Sequence, residues 1–278
     1  MFDDYLRRWH LARDGPPIHT RSSDLLPVHR DHMRAMLKIA REPEERRGPI
    51  ALAWWDGVGA ARVFERDPFA VLMERAIGSR SLSAIASGGG DDEATRIICA
   101  TAEQLHAPRT KPLPLELVSL ETWFVALWPL AAHGNTRHQD LLRQSAAAAR
   151  LLLDTPQEEI VLHGDLHHGN VLDFGTRRGW LAIDPKGLYG ERAFDFANIL
   201  CNPEPEDDKE PLALKPGRFA RQIDIIIDCT GLDRTRLLLW VQAYGGLSAA
   251  WYLNDGDDEE AEWPLAIARL AADELGKG

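Results

Sequence analysis

Up to about Arg75, apolar residues fall in short runs broken by polar turns. The runs "SDLLPVHRDH" and "RAMLKIAR" meet at Arg30–His32, which predicts a β-hairpin. "EPEERRGPIALAWWDG" opens with Pro43 and acids, favourable chemistry for a first helical turn. Within it Ile50, Trp54 and Trp55 recur near helical spacing, and Gly57 is placed to stop the helix. "AARVFERD" and "FAVLMERA" read as two further strands. The first part of the chain is therefore expected to form a small antiparallel sheet with one packed helix.

After Gly78 the period changes. In "DDEATRIICATAEQLHAP", Ile97, Ile98, Ala102 and Leu105 share one helical face, closed by Pro108. "GGGDD", Gly88–Asp92, reads as a flexible loop before that helix. Helical patterns follow in "LETWFVALWPLAAH", "HQDLLRQSAAAARLLLD", "PGRFARQIDIIIDCTGL" and "DRTRLLLWVQAYGGLSAAWYL". Two short apolar pieces, "EIVLHGD" and "GWLAIDP", interrupt them around "VLHGDLHHGN". There is no internal repeat. The expected architecture is α+β and bilobal: residues 1–76 a sheet-rich N-terminal lobe, residues 77–278 a larger, mainly helical lobe, crossing near Glu74–Gly78.

Composition narrows the function. The chain has 278 residues, 45% of them apolar with nine tryptophans, so a sizeable core is available. Acids outnumber bases 43 to 32, a net charge of −11, which argues against nucleic acid and for a cationic small-molecule partner. Three scattered cysteines exclude a disulfide framework and a cysteine-based zinc site. The first residues lack a signal-peptide pattern, and no apolar run is long enough to span a membrane. A cytoplasmic monomer or weak dimer is expected.

The stretch "HGDLHHGN" carries the chemistry. Phosphoryl transfer needs a carboxylate beside the attacking hydroxyl and oxygen ligands that hold Mg²⁺ against nucleotide phosphates. His163, Asp165, Leu166 and Asn170 match the kinase pattern H-x-D-L-x-x-x-N. A second acidic metal ligand should follow on the next hairpin, and Asp184 in "LAIDP" stands there, after a turn at Arg177–Gly179. Upstream, "AMLK" supplies Lys38 as the strand lysine for the α/β-phosphates, and Glu44 or Glu45 opens the next helix, with Glu45 favoured as the lysine's ion-pair partner. The simpler reading of this loop is a polar turn with a helix cap.

The segments "MLKIA", "EERRG", "LMERA", "LHAP", "VLHGDLHHGNVL", "IDPKGLYGERAFDFANIL" and "YGGLSAAW" spread from about Arg21 to Leu270. Through them the chain resembles the aminoglycoside phosphotransferase superfamily of kinase-like enzymes. Within it, the chain resembles the streptomycin 6-kinase group, also called aminoglycoside/hydroxyurea antibiotic resistance kinases. The resemblance implies a protein-kinase-like fold and transfer of the γ-phosphoryl of ATP to an aminoglycoside hydroxyl. Asp165 would position or deprotonate that hydroxyl. Asn170 and Asp184 would hold Mg²⁺, and Lys38, steadied by Glu45, would contact the phosphates. Backbone groups of Glu74 and Ala76 would meet adenine, while His163 and Asp195 would brace the catalytic loop. No G-x-G-x-x-G precedes Lys38. "RSSDLLPV" stands in its place, so Ser22, Ser23 and backbone amides are the candidates to cover the phosphates.

Other readings compete. His163, Asp165, His167 and His168 could ligate zinc in a metallohydrolase, although this leaves Lys38 and Asp184 without roles. A nucleotide-binding module without turnover is a second rival, and an acceptor such as a metabolite alcohol, an amino sugar or hydroxyurea a third. The acidic run Asn254–Glu262 is ordinarily a solvated loop. Here it follows helices expected to form the acceptor pocket, which makes Asp255, Asp258 and Glu259 candidates for a cationic acceptor and Trp251 a candidate wall.

Overall fold

The structure, a computed structural model, describes residues 1–134, 137–203 and 211–277. The N-terminal lobe contains helix α1 (Phe2–Arg8), strands β1 (Ala12–Arg13), β2 (Ile18–His19), β3 (Ser23–Arg30) and β4 (Met33–Ala40), helix α2 (Gly48–Trp55), and strands β5 (Val63–Arg66) and β6 (Ala70–Glu74). The strands form one antiparallel sheet in the order β1-β3-β4-β6-β5, with β2 also paired to β3.

The β3–β4 hairpin turns through Asp31 and His32, with Asp31 at φ 53°, a conformation that a short polar side chain tolerates. Period-two alternation decides which side chains meet. Leu26 and Val28 of β3, Ala35, Leu37 and Ile39 of β4 and Leu72 of β6 form a dry face capped by Trp9 and Leu11, with Phe2, Tyr5 and Leu6 of α1 against it. Lys38 points to the opposite face, toward the cleft.

Two features depart from expectation. No long apolar period announces helix α1; it is short, with Asp3 and Asp4 in its first turn and Arg7 and Arg8 in its last, which suits the helix dipole. The lobe thus carries two helices. The helix expected over 43–57 is a 3₁₀ turn, Pro43–Arg46, followed by α2. Pro49 supplies no N–H for the bond a continuous helix requires, so the helix restarts there. Asp56, at φ 54°, ends α2 one residue before Gly57.

The second lobe begins with α3 (Leu82–Ile85), a wide turn over Ala86–Gly90, and α4 (Asp91–His106). "GGGDD" is thus that turn plus the first residues of α4, with Gly89 at φ 99°. Next come β7 (Val118–Ser119), α5 (Leu120–Trp123), α6 (Leu127–His133) and α7 (Gln139–Asp154). A 3₁₀ turn at Phe124–Ala126 divides the expected "LETWFVALWPLAAH" helix. Strands β8 (Glu159–Leu162), β9 (Val171–Asp173), β10 (Trp180–Ala182) and β11 (Leu188–Glu191) lead into a 3₁₀ segment, Arg192–Cys201. Helices α8 (Arg218–Thr230), α9 (Arg234–Asp255) and α10 (Asp258–Leu275) complete it.

Helix α9 is buried along most of its length between α7 and α10. Gly246 makes this possible: a Cβ there would lie 2.3 Å from Ser145 Cβ of α7. Phe194 meets Trp240 and Tyr244 edge-on at centroid distances of 5.5 and 5.8 Å, joining the 3₁₀ segment to α9.

The lobes touch through the β9–β10 hairpin. Ala61 N donates to Ala182 O and Ala182 N to Gly59 O, both at 2.9 Å; just past the crossing, Gly78 N ties the connecting segment to Asp173 O at 2.8 Å. Arg178, in the hairpin turn, forks onto both carboxylate oxygens of Glu74 at 3.0 Å and also donates to Gly57 O. Among the described residues no helix is long and apolar enough to cross a membrane.

Candidate active site

The loop His163–Asn170 joins β8 to β9, and Asp184 follows β10. Three bonds clamp these segments together: Ile183 N to Asn170 O at 2.9 Å, Lys186 N to His163 O at 2.7 Å, and His163 Nε2 to Ile183 O at 2.8 Å. This brings Asp165, Asn170, Asp184 and Lys186 to one place. Asp184 has φ 59°, the left-handed region that aspartate, like Asp31 above, tolerates better than most residues.

His163 is buried and stacked under Trp55, with ring centroids 6.3 Å apart. Burial holds its pKa below the ordinary value despite Asp195 and Asp165 nearby. It donates through Nε2 and accepts Asp165 N at Nδ1, 3.2 Å away, which fixes one neutral tautomer. Asp195, also buried, accepts from His163 N (2.9 Å), Gly164 N (2.7 Å) and His106 Nε2 (2.8 Å). The His163–Asn170 loop therefore hangs from a carboxylate on the following 3₁₀ segment.

The Asp165 carboxylate is partly open. Its Oδ1 accepts Asn198 Nδ2 at 2.8 Å, and its Oδ2 accepts Asn170 Nδ2 at 3.2 Å and faces Lys186 Nζ at 3.7 Å. Asn170 Nδ2 also donates to Asp165 O at 2.8 Å, so the amide oxygen is the end of Asn170 left for another ligand.

Above the loop, Lys38 is buried and forms ion pairs with both Glu45 and Asp184. A buried ammonium needs such partners. Glu45 sits on the Pro43–Arg46 turn, and its second oxygen accepts Lys186 Nζ at 3.3 Å. Burial alone would raise the Glu45 pKa, but the charges of Lys38 and Lys186 outweigh it and hold the carboxyl at about 2. Lys186 shows the mirror case: burial pulls its pKa down, and Asp165, Glu45 and Asp184 push it well above the ordinary lysine value. Close approach of α2 makes this possible, since a Cβ on Gly48 would lie 2.3 Å from Pro185 O.

Ser23 is buried and donates to Glu45 Oε2 at 3.4 Å; Ser22, half-buried, lies in the β2–β3 turn, where its carbonyl accepts Arg41 N and Glu42 N. Glu74 ends β6 with its N–H donating to Arg62 O at 2.8 Å, and Ala76 follows, half-buried.

Two adjoining cavities, about 520 and 430 Å³, share Asp165, Tyr244 and Trp251 as walls. The larger adds Asn198, Ser248 and Glu260; the smaller adds Glu44, Lys186 and Asp255. Trp251 is held edge-on by Trp123 at 5.4 Å. Asp255 pairs with Arg21 of the β2–β3 turn at 3.1 Å. Asp258 and Glu259 are exposed on the first turn of α10 and line neither cavity.

Sequence reasoning missed Lys186, Asn198, Glu44 as a cavity wall, and Glu260. Lys186 lay in plain view in "IDPKG", two residues after Asp184; Asn198 follows Asp195 by three residues and carried no chemical signal. The zinc reading fails on geometry. Both ring nitrogens of His163 are occupied, and among the described residues no group of three or more His, Cys, Asp or Glu side chains gathers as a metal cage.

A small antiparallel lobe carrying a lysine–glutamate pair, set over a helical lobe with this loop, is the arrangement of kinase-like phosphotransferases. The family profile described as aminoglycoside/hydroxyurea antibiotic resistance kinase matches residues 8–256. Streptomycin 3''-kinase of Klebsiella pneumoniae is 53% identical over 251 residues, covering 90% of this chain and 92% of that protein. Streptomycin 6-kinase of Streptomyces glaucescens is 32% identical, covering 92% and 83%. Hydroxyurea phosphotransferase of Kitasatospora aureofaciens is 31% identical, covering 98% and 78%. A crystal structure of aminoglycoside phosphotransferase APH(4)-Ia, in ternary complex with ADP and hygromycin B, has the same fold at 13% identity, with a TM-score of 0.64 and coverage of 99% and 98%. The chain belongs to the aminoglycoside/hydroxyurea antibiotic resistance kinase family and is an ATP-dependent phosphotransferase.

Proposed function

We propose that the protein transfers the γ-phosphoryl of ATP to the 3''-hydroxyl of streptomycin and so confers resistance to it. The observation that carries this reading is the open carboxylate of Asp165, which forms a wall of two cavities bordered by Glu44, Asp255, Glu260 and aromatic rings. Such walls suit a large, polar, cationic acceptor. Supporting the 3''-position is the 53% identity to a streptomycin 3''-kinase, against 32% to a streptomycin 6-kinase.

In this reading Asp165 orients the acceptor hydroxyl and takes its proton as the new O–P bond forms. The bond from the γ-phosphorus to the bridging oxygen breaks, and its electron pair leaves with ADP. Asn170 and Asp184 suit Mg²⁺, because they offer an amide oxygen and a carboxylate, the hard donors that ion prefers alongside phosphates and water. The ion would neutralise charge on the transferring phosphoryl group. Lys38, released from Asp184, would hold the α/β-phosphates while Glu45 keeps it aimed. Backbone groups of Glu74 and Ala76 would meet adenine at the junction of lobes 1–76 and 77–278. Ser22 and the amides of the β2–β3 turn would lie over the phosphates, since the hydroxyl of Ser23 already serves Glu45.

The test is an ADP-release assay with streptomycin, other aminoglycosides and hydroxyurea, followed by phosphorus NMR of the product. Turnover with streptomycin and phosphate on the 3'' oxygen is expected. Phosphate on the 6 oxygen would overturn the position, and turnover with hydroxyurea alone would overturn the acceptor.

A further inference from the structure

We propose that Asn198 is a positioning residue that sets the plane of the Asp165 carboxylate, and that it is itself set from behind by Asn202, Arg218 and Asp91. The proposal rests on Asp165 acting as the base.

The chain of contacts is continuous. Asn198 Nδ2 donates to Asp165 Oδ1 at 2.8 Å. Asn202 Nδ2 donates to Asn198 Oδ1 at 3.1 Å and to Asn198 O at 3.0 Å. Asn202 O accepts Arg218 Nη2 at 2.8 Å, and Arg218 grips Asp91 through Nε (2.7 Å) and Nη2 (3.0 Å). Asn198, Asn202 and Arg218 are all buried.

Each link removes a freedom. A carboxylate rotates easily about its last torsion, which is broad and two-fold. The donor on Oδ1 stops that rotation and leaves Oδ2 beside Asn170 and Lys186. An asparagine amide can also flip, which here would set an oxygen against an oxygen. Asn202 forbids the flip by occupying Asn198 Oδ1. Arg218, anchored on α4, fixes Asn202 in turn. Asn198 is buried in the 3₁₀ segment that also carries Phe194, Phe196 and Ile199, but its amide borders the larger cavity and is aimed at Asp165. Polar groups buried beside a reacting carboxylate and aimed at it make sense as preorganisation.

The experiment compares steady-state kinetics of Asn198→Ala, Asn198→Ser and Asn202→Ala with ATP and streptomycin, and single-turnover rates of Asn198→Ala in an Asp165→Asn background. Asn198→Ala is expected to lower kcat by about 10- to 100-fold with both KM values within about twofold. Asn198→Ser, which keeps a donor, recovers part of the loss, and Asn202→Ala loses only several-fold. In the Asp165→Asn background, Asn198→Ala adds nothing, because the carboxylate base whose plane it sets is already gone. An unchanged kcat overturns the proposal, as does a rise confined to the streptomycin KM or a loss that multiplies onto Asp165→Asn. Should Asn198→Ala not fold, Asn202→Ala decides alone: kcat lowered at constant KM supports the relay, and wild-type kcat ends it. Normal turnover by Asp165→Asn itself would remove the base and the relay together, whereas failure of the relay alone leaves Asp165→Asn inactive.

Discussion

Lys186 Nζ faces Asp165 Oδ2 across 3.7 Å, and the same ammonium touches Glu45 Oε1 at 3.3 Å. One cation therefore joins Asp165, the proposed base, to the Lys38–Glu45 pair proposed to hold the nucleotide. Replacing it with methionine keeps the stem volume and removes the cation shared by Asp165 and Glu45, leaving Glu45 with Lys38 as its cation and Asp165 with its two asparagine donors. Lys186→Met should lower kcat by roughly 100-fold, as loss of a preorganised charge donor commonly does, with Lys186→Arg intermediate. Steady-state kinetics on folded protein, verified by circular dichroism, provide the check.

Asp165→Asn removes the proton acceptor while keeping the side chain's shape. The expected fall in kcat is about 10²- to 10⁴-fold, with ATP affinity within about twofold of wild type. Calorimetric titration with a non-hydrolysable nucleotide separates the two effects.

Asp184→Ala acts on the other side of the site. It removes a carboxylate proposed for Mg²⁺ and one partner of Lys38. Nucleotide binding in the presence of magnesium should weaken at least tenfold, and its magnesium dependence should shrink. Titrations at several magnesium concentrations report both.

Stability should fall in acid through two groups. Burial, with the Arg218 charge adding to it, depresses His168 from 6.5 to about 3, so the unfolded chain takes up a proton that the folded site refuses. That contribution is complete above about pH 6.5 and is lost as pH falls toward 3. Glu45, ordinarily 4.5 but held at about 2, contributes fully above 4.5 and loses its share between 4.5 and 2. Over their windows His168 is worth up to about 5 kcal/mol and Glu45 up to about 3 kcal/mol. Urea midpoints should drop from pH ~7 to ~4, and His168→Leu should flatten that slope.

Gly246→Ala should destabilise the helical lobe by about 1–3 kcal/mol, because the added methyl meets Ser145 Cβ where α7 and α9 touch. Thermal unfolding shows this directly, and a Gly246→Ala/Ser145→Gly pair should recover part of the loss.

Much of this was legible in the chain. The run "AMLK" placed Lys38 on a strand, and the spacing of Asp165, Asn170 and Asp184 pointed to one loop and the next hairpin, which the fold holds together. Family resemblance carried the fold and the reaction class. What could not be read depends on contacts far apart in sequence. Asn198 acquires its meaning only when the 3₁₀ segment folds back under the His163–Asn170 loop, and Lys186 only when the Pro43–Arg46 turn sets Glu45 against it. Acidity alone was equally uninformative: Asp255 and Glu260 border the cavities, whereas Asp258 and Glu259 of the same run face solvent.

The fork of Arg178 on Glu74 has a mechanical consequence. It staples the spine of the molecule, because the last residue of β6 cannot travel without dragging the β9–β10 turn along. The cleft is then a wedge with a fixed inner corner, and whatever breathing it permits must happen at the outer lip, where Arg21 of one half reaches Asp255 of the other. In the proposed reading a bulky sugar would enter by parting that lip, leaving undisturbed the corner at Glu74 and Ala76 where a purine is proposed to sit.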